Sequence, residues 1–217
     1  MRDALTSGKQ LMMFGLSSRE KQRSIRHDMI RSKQSGNDAS VHHPDEKLAQ
    51  LDRVLQGKGK KILELFSGRG NLTKLYEQHG EVECYDRKYL KTGDSYIVFH
   101  RLIGEKKTYD IIDLDPYGFP NRFFPDIFLL IKDGLLIVTM PKPYVQYLNG
   151  ITQTFLTAYF GEQNPGKDVI VEQIATWGIC HWRKVSLLDS IDLNGVWRFV
   201  FEVQLVKATE YTGVRNR

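Results

Sequence analysis

The spacing of apolar residues changes several times along this chain, and each change marks an element. In DEKLAQLDRVLQ, Leu48, Leu51, Val54 and Leu55 stand at i, i+3, i+6 and i+7. That spacing is one face of an amphipathic helix beginning near Asp45, which Gly57 and Gly59 end. From Lys61 short apolar runs alternate with helical spacing. KILELF, EVECYD, YDIIDLD and GLLIVTMP read as strands. NLTKLYEQHG (closed by Gly80), SYIVFHRLIGE, and RFFPDIFLLIKDG around Pro125 with Gly134 near its end read as the helices between them. YVQYLNGITQTFLTAYFG and KDVIVEQIATWGICH read as two further helices. Two longer strands follow, roughly Lys184–Asp192 and Val196–Lys207, joined by Asn194-Gly195, a two-residue hairpin signal. Alternating strand and helix predicts an α/β fold, a doubly wound and mostly parallel sheet closed by an antiparallel hairpin.

Before Asp45 the pattern fails. Residues 1–43 are basic, with Arg19, Lys21, Arg23, Arg26, Arg31 and Lys33 in a stretch that offers little to bury. They are expected to form a partly disordered extension, with a short helix over Ser18–Lys33 and a linker at QSGNDAS. The folded domain is expected over 44–208 and a short tail over 209–217.

Composition narrows the classes. The 217 residues are 41% hydrophobic and 26% charged, enough for one packed core. A net charge of +5 and a pI near 9.1 lean toward a polyanionic partner. Cys84 and Cys180 stand far apart and read as reduced thiols of a cytoplasmic protein. His42-His43 has no further ligand at suitable spacing, so no metal site is expected. No window approaches the roughly 18 apolar residues of a membrane span, and no membrane partner is expected.

In open α/β sheets ligands sit beyond the carboxyl ends of the strands, and chemistry-bearing residues gather there. ELFSGRGNLT places Gly68 and Gly70 in a turn before a helix. Glycines let a backbone approach a ligand, although such turns also arise for structural reasons. The Lys-Ser/Thr ending of a P-loop is missing, and Thr73 replaces the third glycine of a dinucleotide fingerprint. Glu64, ahead of the glycines, would repel a pyrophosphate and suits a cofactor with a positive amino-acid moiety. Asp86 lies 22 residues beyond Glu64, near the ~20-residue offset of a ribose-binding acid; a solvated acid beside Arg87 and Lys88 is the alternative. Asp94 could accept from an adenine amine, or cap the next helix with its neighbour Ser95.

The strand YDIIDLD carries three acids and stops on Asp115-Pro116-Tyr117-Gly118. Asp110, at its start, reads as structural. Asp113 and Asp115 share parity and face one side. A carboxylate at the strand end can accept from an exocyclic amine and aim the nitrogen lone pair at an electrophilic methyl group. Tyr117 offers a flat face for an extruded base. An Asp-Pro turn would explain Pro116 and Gly118 but not Tyr117 or the paired acids.

ILELFSGRGNLT, YDRK, DLDPYGFP and GLLIVTMP together resemble a class I S-adenosylmethionine-dependent methyltransferase with its Rossmann-like fold. DLDPYGFP is similar to the signature of the tRNA guanine-N2 dimethyltransferases and, more loosely, of the DNA and RNA amino-methyltransferases. The resemblance implies transfer to an exocyclic amino nitrogen of a nucleic-acid base, RNA before DNA. It implies that Glu64, Phe66, Gly68 and Gly70 line the methionine side of S-adenosyl-L-methionine, that Asp86 binds its ribose and that Asp94 faces its adenine. Asp115, Pro116 and Tyr117 would hold the target base. Arg122, Lys142 and the Arg183/Lys184 pair, near strand ends, are candidate phosphate contacts. The alternatives are a small-molecule methyltransferase and a non-catalytic binding module of the same fold. Glu64 and the absent third glycine argue against a nicotinamide-dependent oxidoreductase.

Overall fold

The computed structural model describes residues 43–143 and 153–207. The expected Ser18–Lys33 helix, the QSGNDAS linker, the start of YVQYLNGITQTFLTAYFG and the C-terminal tail lie outside the described residues. The chain divides after Pro44, and the described residues fall almost wholly in the unit that follows.

The elements are helix α1 (Pro44–Val54), strand β1 (Lys60–Glu64), helix α2 (Thr73–Tyr76), β2 (Gly80–Cys84), α3 (Ser95–Gly104), β3 (Tyr109–Leu114), β4 (Ile131–Pro141), α4 (Gln153–Phe160), α5 (Lys167–Ile179), β5 (Arg183–Leu193) and β6 (Val196–Leu205). The six strands form one sheet in the order β2-β1-β3-β4-β6-β5. The first four run parallel, and β6 inserts antiparallel between β4 and β5. This is the expected doubly wound sheet with its closing hairpin. Asn194 takes the left-handed conformation that a tight two-residue turn needs (φ 54°).

Side chains alternate across the sheet, so each face has its own composition. One face carries Leu63, Leu65, Ile112, Leu114, Leu136, Val138, Met140, Phe199 and Phe201, buried with residues of α3, α4 and α5. The other begins aliphatic, with Ile62, Ile111, Ile137 and Val200 packed on Leu51 of α1, on Leu55 just past its end and on Tyr76. Toward the carboxyl ends of the parallel strands this second face turns polar. Glu64 pairs in register with Asp113, and Thr139 with Arg198. The polar row is buried, and it lies where a ligand site belongs in this topology.

Three expectations differ from the structure. NLTKLYEQHG forms only the short helix α2 before breaking into turns. RFFPDIFLLIKDG is not a helix but two single-turn 3-10 segments, Pro120–Phe123 and Asp126–Leu129, running into β4. Pro125 cannot donate a helical hydrogen bond, and the aromatic and branched residues around it pack equally well as short turns. Gly134 therefore lies inside β4, not at a helix end. A Cβ there would stand 1.9 Å from the Asp110 carbonyl oxygen, and its φ of 151° suits glycine alone. We expect Gly134→Ala to lower the unfolding free energy by roughly 2–3 kcal/mol, read as a shift of the urea midpoint at unchanged m-value.

Candidate active site

The site is built where β1, β2 and β3 end. Pairing continues past the strand ends: Leu65 N–H donates to the Asp113 carbonyl (3.3 Å), Tyr85 N–H to the Glu64 carbonyl (2.8 Å) and Ser67 N–H to the Tyr85 carbonyl (3.1 Å). The glycine turn is thus anchored on both sides. Gly68 and Gly70 have positive φ (56° and 78°), and a Cβ on Gly68 would meet no heavy atom within 4 Å. The turn faces open space. The Ser67 hydroxyl is buried beside it without a hydrogen-bond partner among the described residues. Phe66 is half-buried, its ring edge-on to Phe123 at 5.6 Å.

Asp86 is buried and ties the turn to the loop after β2. Its carboxylate accepts from Gly68 N–H (3.1 Å), Lys88 N–H (2.7 Å) and Tyr89 N–H (2.7 Å). A carboxylate offers about four lone-pair sites, so one remains for a ligand hydroxyl. Asp94 is the N-cap of α3, accepting from Tyr96 N–H at 2.9 Å, and its other oxygen lies 3.7 Å from Arg87. The capping alternative is therefore realised. No strand separates β2 from α3, and the Ser95 hydroxyl pins the helix start to the Leu65 carbonyl (2.8 Å).

The three acids of β3 have three different fates. Asp110 accepts from Lys61 N–H at 2.8 Å, a link between strands, as its structural reading implies. Asp113 is fully buried and forms a forked pair with Arg198 at 2.6 and 3.1 Å. Tyr76 donates its hydroxyl to the same carboxylate (2.6 Å), and Arg198 also donates to Thr139 (2.8 Å). Burial and Asp113 push the Tyr76 hydroxyl well above its ordinary range.

Asp115 stands one step further out, its side chain 22% exposed, with Lys47 of α1 at 2.5 Å and Arg198 at 3.9 Å. Asp113 and Asp115 thus face the same side. Burial opposes ionisation of Asp115, but Lys47 and Arg198 outweigh it and hold the carboxyl below its usual range. Glu64 behaves oppositely. Burial, with Asp113 nearby, raises it to about 8, although Thr73 donates to it at 2.5 Å.

Pro116 and Tyr117 follow at the surface, and the Tyr117 ring is 65% exposed. Arg122 is exposed and lies over the Tyr96 ring, 3.9 Å from its centroid. Lys142 is buried, and its ammonium meets both carboxylate oxygens of Asp192 at 2.6 and 2.7 Å. Arg183 is buried at the opposite end of the sheet, donating to the Ile131 carbonyl (2.7 Å), with Lys184 exposed beside it. The structure thus brings together Glu64, Phe66, Gly68, Gly70, Asp86 and Asp115, and leaves Arg183/Lys184 far from them.

Sequence reasoning missed Lys47, Tyr76, Thr139 and Arg198. Two had a signal. Lys47 precedes Leu51 and Leu55 at i+4 spacing on the buried face of α1, and Arg198 shares parity with Val196 and Val200 in an apolar strand. A charge at an inward position calls for a partner. Among the described residues no group of His, Cys, Asp and Glu could hold a metal ion, and no helix is long and apolar enough to cross a membrane.

No protein-family model matches the chain, and no curated protein matches its sequence. Solved structures do. Trm1 from Pyrococcus horikoshii, in complex with S-adenosyl-L-methionine, superposes with a TM-score of 0.53 at 15% identity over 76% of this chain and 55% of that one. The fold is that of a class I methyltransferase. This chain spans about half the length of that Trm1. The 1,6-didemethyltoxoflavin-N1-methyltransferase of Burkholderia thailandensis, with 1,6-didemethyltoxoflavin and S-adenosylhomocysteine bound, matches at 13% identity over 87% and 91% of the two chains, TM-score 0.47. A methyltransferase from Pyrococcus furiosus matches at 13% over 88% and 100%, TM-score 0.44.

Two predictions come from these charges. Replacing Asp113 by Leu leaves the Arg198 guanidinium buried without its forked partner. We expect a loss of about 3–5 kcal/mol, largely recovered in the Asp113→Leu/Arg198→Met double variant, measured by urea unfolding. Glu64 keeps its proton in the native state over a range where the unfolded chain has lost it. The unfolded state then binds fewer protons, so stability falls as pH rises from about 4.5 to about 8. Glu64→Gln is expected to remove this decline, which amounts to on the order of 4 kcal/mol, in unfolding curves at pH 5 and pH 9.

Proposed function

We propose that this protein transfers the methyl group of S-adenosyl-L-methionine to an exocyclic amino nitrogen of a nucleic-acid base, RNA before DNA. The observation that carries the reading is Asp115. It is an ionised carboxylate just past the end of a central parallel strand, next to the glycine turn, with the exposed Tyr117 ring two residues on. The residues of the turn fit the cofactor. The open face of Gly68, the unpartnered Ser67 hydroxyl, the remaining acceptor site of Asp86 and the acid Glu64 together offer what a nucleoside joined to a cationic amino acid requires.

When bound, the cofactor supplies a methyl group already activated on a sulfonium, so the chain has to align, desolvate and orient. Asp115 accepts an N–H of the target amine and turns the nitrogen lone pair toward the turn. Held ionised by Lys47 and Arg198, it is a weak proton acceptor; its role is orientation, and the departing proton leaves by solvent. Pro116 stiffens the approach, and Tyr117 gives the base a face to stack on. Exposed Arg69, Arg87, Lys88, Lys91 and Arg122 all follow carboxyl ends of parallel strands, on the side where a polyanion would have to approach.

The test incubates the protein and labelled S-adenosylmethionine with separate pools of unmodified tRNA, ribosomal RNA and duplex DNA, then identifies the labelled nucleoside. Label is expected on a base amino group in an RNA pool. Asp115→Ala should lower transfer by roughly 10²–10³-fold while S-adenosylhomocysteine still binds. Tyr117→Ala should weaken nucleic-acid binding by roughly 5–100-fold, the worth of one stacked base, without changing cofactor affinity. Cofactor binding with no label in any pool would overturn the nucleic-acid substrate.

A further inference from the structure

The polar row contains three carboxylates on neighbouring strand ends. Glu64 and Asp113 are register partners on β1 and β3, and Asp115 follows two residues later on the same face. Among the described residues two cations reach them, Arg198 and Lys47. Arg198 is spent on Asp113 with a forked bond and lies 3.9 Å from Asp115, and Lys47 is bound to Asp115. The other groups facing Glu64 are neutral: the Thr73 and Tyr76 hydroxyls of α2, and the thiol of Cys84, its register partner on β2. Burial and Glu64 raise that thiol, which keeps it protonated at neutral pH. A buried carboxylate without a cation is held by a proton. The cluster is therefore one positive charge short, and the vacancy is at Glu64, directly before the glycine turn.

We infer that the α-ammonium of the methyl donor fills this vacancy, so that binding of the donor or its demethylated product expels one proton from Glu64 to solvent. The inference rests on the cofactor reading above and adds to it a linkage between binding and pH. The balance is simple: the Glu64 O–H bond breaks, the proton goes to buffer, and the resulting carboxylate pairs with the ammonium. Binding then tightens as pH rises, up to the point where free Glu64 is already ionised. Above that point it no longer depends on this group.

The experiment is titration calorimetry of the full chain with S-adenosylhomocysteine in phosphate and in Tris, buffers of very different ionisation enthalpy, at pH 7 and pH 8. The difference in apparent enthalpy counts protons. At pH 7 close to one proton per bound ligand is expected, and at pH 8, where the ligand's ammonium is still intact, about half of one, as follows from a Glu64 titrating near pH 8. Glu64→Gln should bind with no proton released. Wild type should bind 5′-methylthioadenosine, which lacks the amino-acid end, with none released either. Melting curves of Glu64→Gln confirm that the variant is folded, and the wild-type comparison of the two ligands stands without it. Binding of S-adenosylhomocysteine without proton release, or equal release with 5′-methylthioadenosine or from Glu64→Gln, would overturn the linkage and leave the cofactor reading intact. No binding of S-adenosylhomocysteine or S-adenosylmethionine would overturn both.

Discussion

The forked pair between Asp113 and Arg198 is the constraint on which the rest of the site depends. It joins β3 to β6, strands separated by β4, and both members are out of water. Such a pair is not a reliable source of stability, since desolvating two charges offsets most of their attraction, and apolar residues could fill the same volume. What it does is commit the neighbourhood to charge. Arg198 lies close enough to Asp115 to help keep that carboxylate ionised. Burial raises the Tyr76 hydroxyl and Glu64, and the same Asp113 adds to both shifts. The pair thus adds to what burial does at Glu64 and to what Lys47 does at Asp115, and the two carboxyls shift in opposite directions.

The two faces of the sheet divide the work. The face packed on α3 and α5 is apolar through its centre and carries a chain of ring contacts from Phe66 through Phe123 to Phe99 and Tyr96. Burial of that kind supplies stability without direction. The other face gives up its last layer to Glu64, Asp113, Thr139 and Arg198, whose buried polar atoms are costly wherever they lack a partner. Among the described residues the atoms left without one are the Ser67 hydroxyl, the Arg198 Nε and the Gln50 carbonyl oxygen, in or beside that layer. An apolar face that holds the frame allows the opposite face to carry polar groups that contribute little to its stability.

Period and punctuation made most of this fold legible. Strands YDIIDLD and GLLIVTMP, the Asn194-Gly195 turn and helix α1 all declare themselves by spacing, and their order dictates the sheet. The errors fall where local signals conflict. Around Pro125 apolar residues are dense enough to fit any period, so only tertiary packing decides between a helix and short turns. In the site, Glu64, Gly68, Gly70, Asp86 and Asp115 were readable as candidates because each stands at or within a few residues of a strand's carboxyl end. Lys47 and Arg198 were not, because their partners are 68 and 85 residues away in sequence. A lone charge at an inward position says that a partner exists but not which. Lys142 shows the converse: its place after a strand resembled that of a substrate contact, yet the hairpin turn brings Asp192 against it.

The position of Lys47 restricts what Asp115 can bind. It comes from α1, before the first strand, and its ammonium lies against the carboxylate expected to receive the substrate amine. A cationic acceptor would have to compete with that lysine for the same oxygens. A neutral aromatic amine need not, because a carboxylate has about four lone-pair sites, and Lys47 and Thr139 occupy only part of them. The lysine also keeps Asp115 from taking a proton, which would hold it as an acceptor throughout the proposed turnover. The same charge that makes Asp115 a poor base therefore suits it to orient a weakly basic nitrogen. Exocyclic base amines are nitrogens of this kind, their lone pairs delocalised into the ring, and alignment is what they lack as nucleophiles.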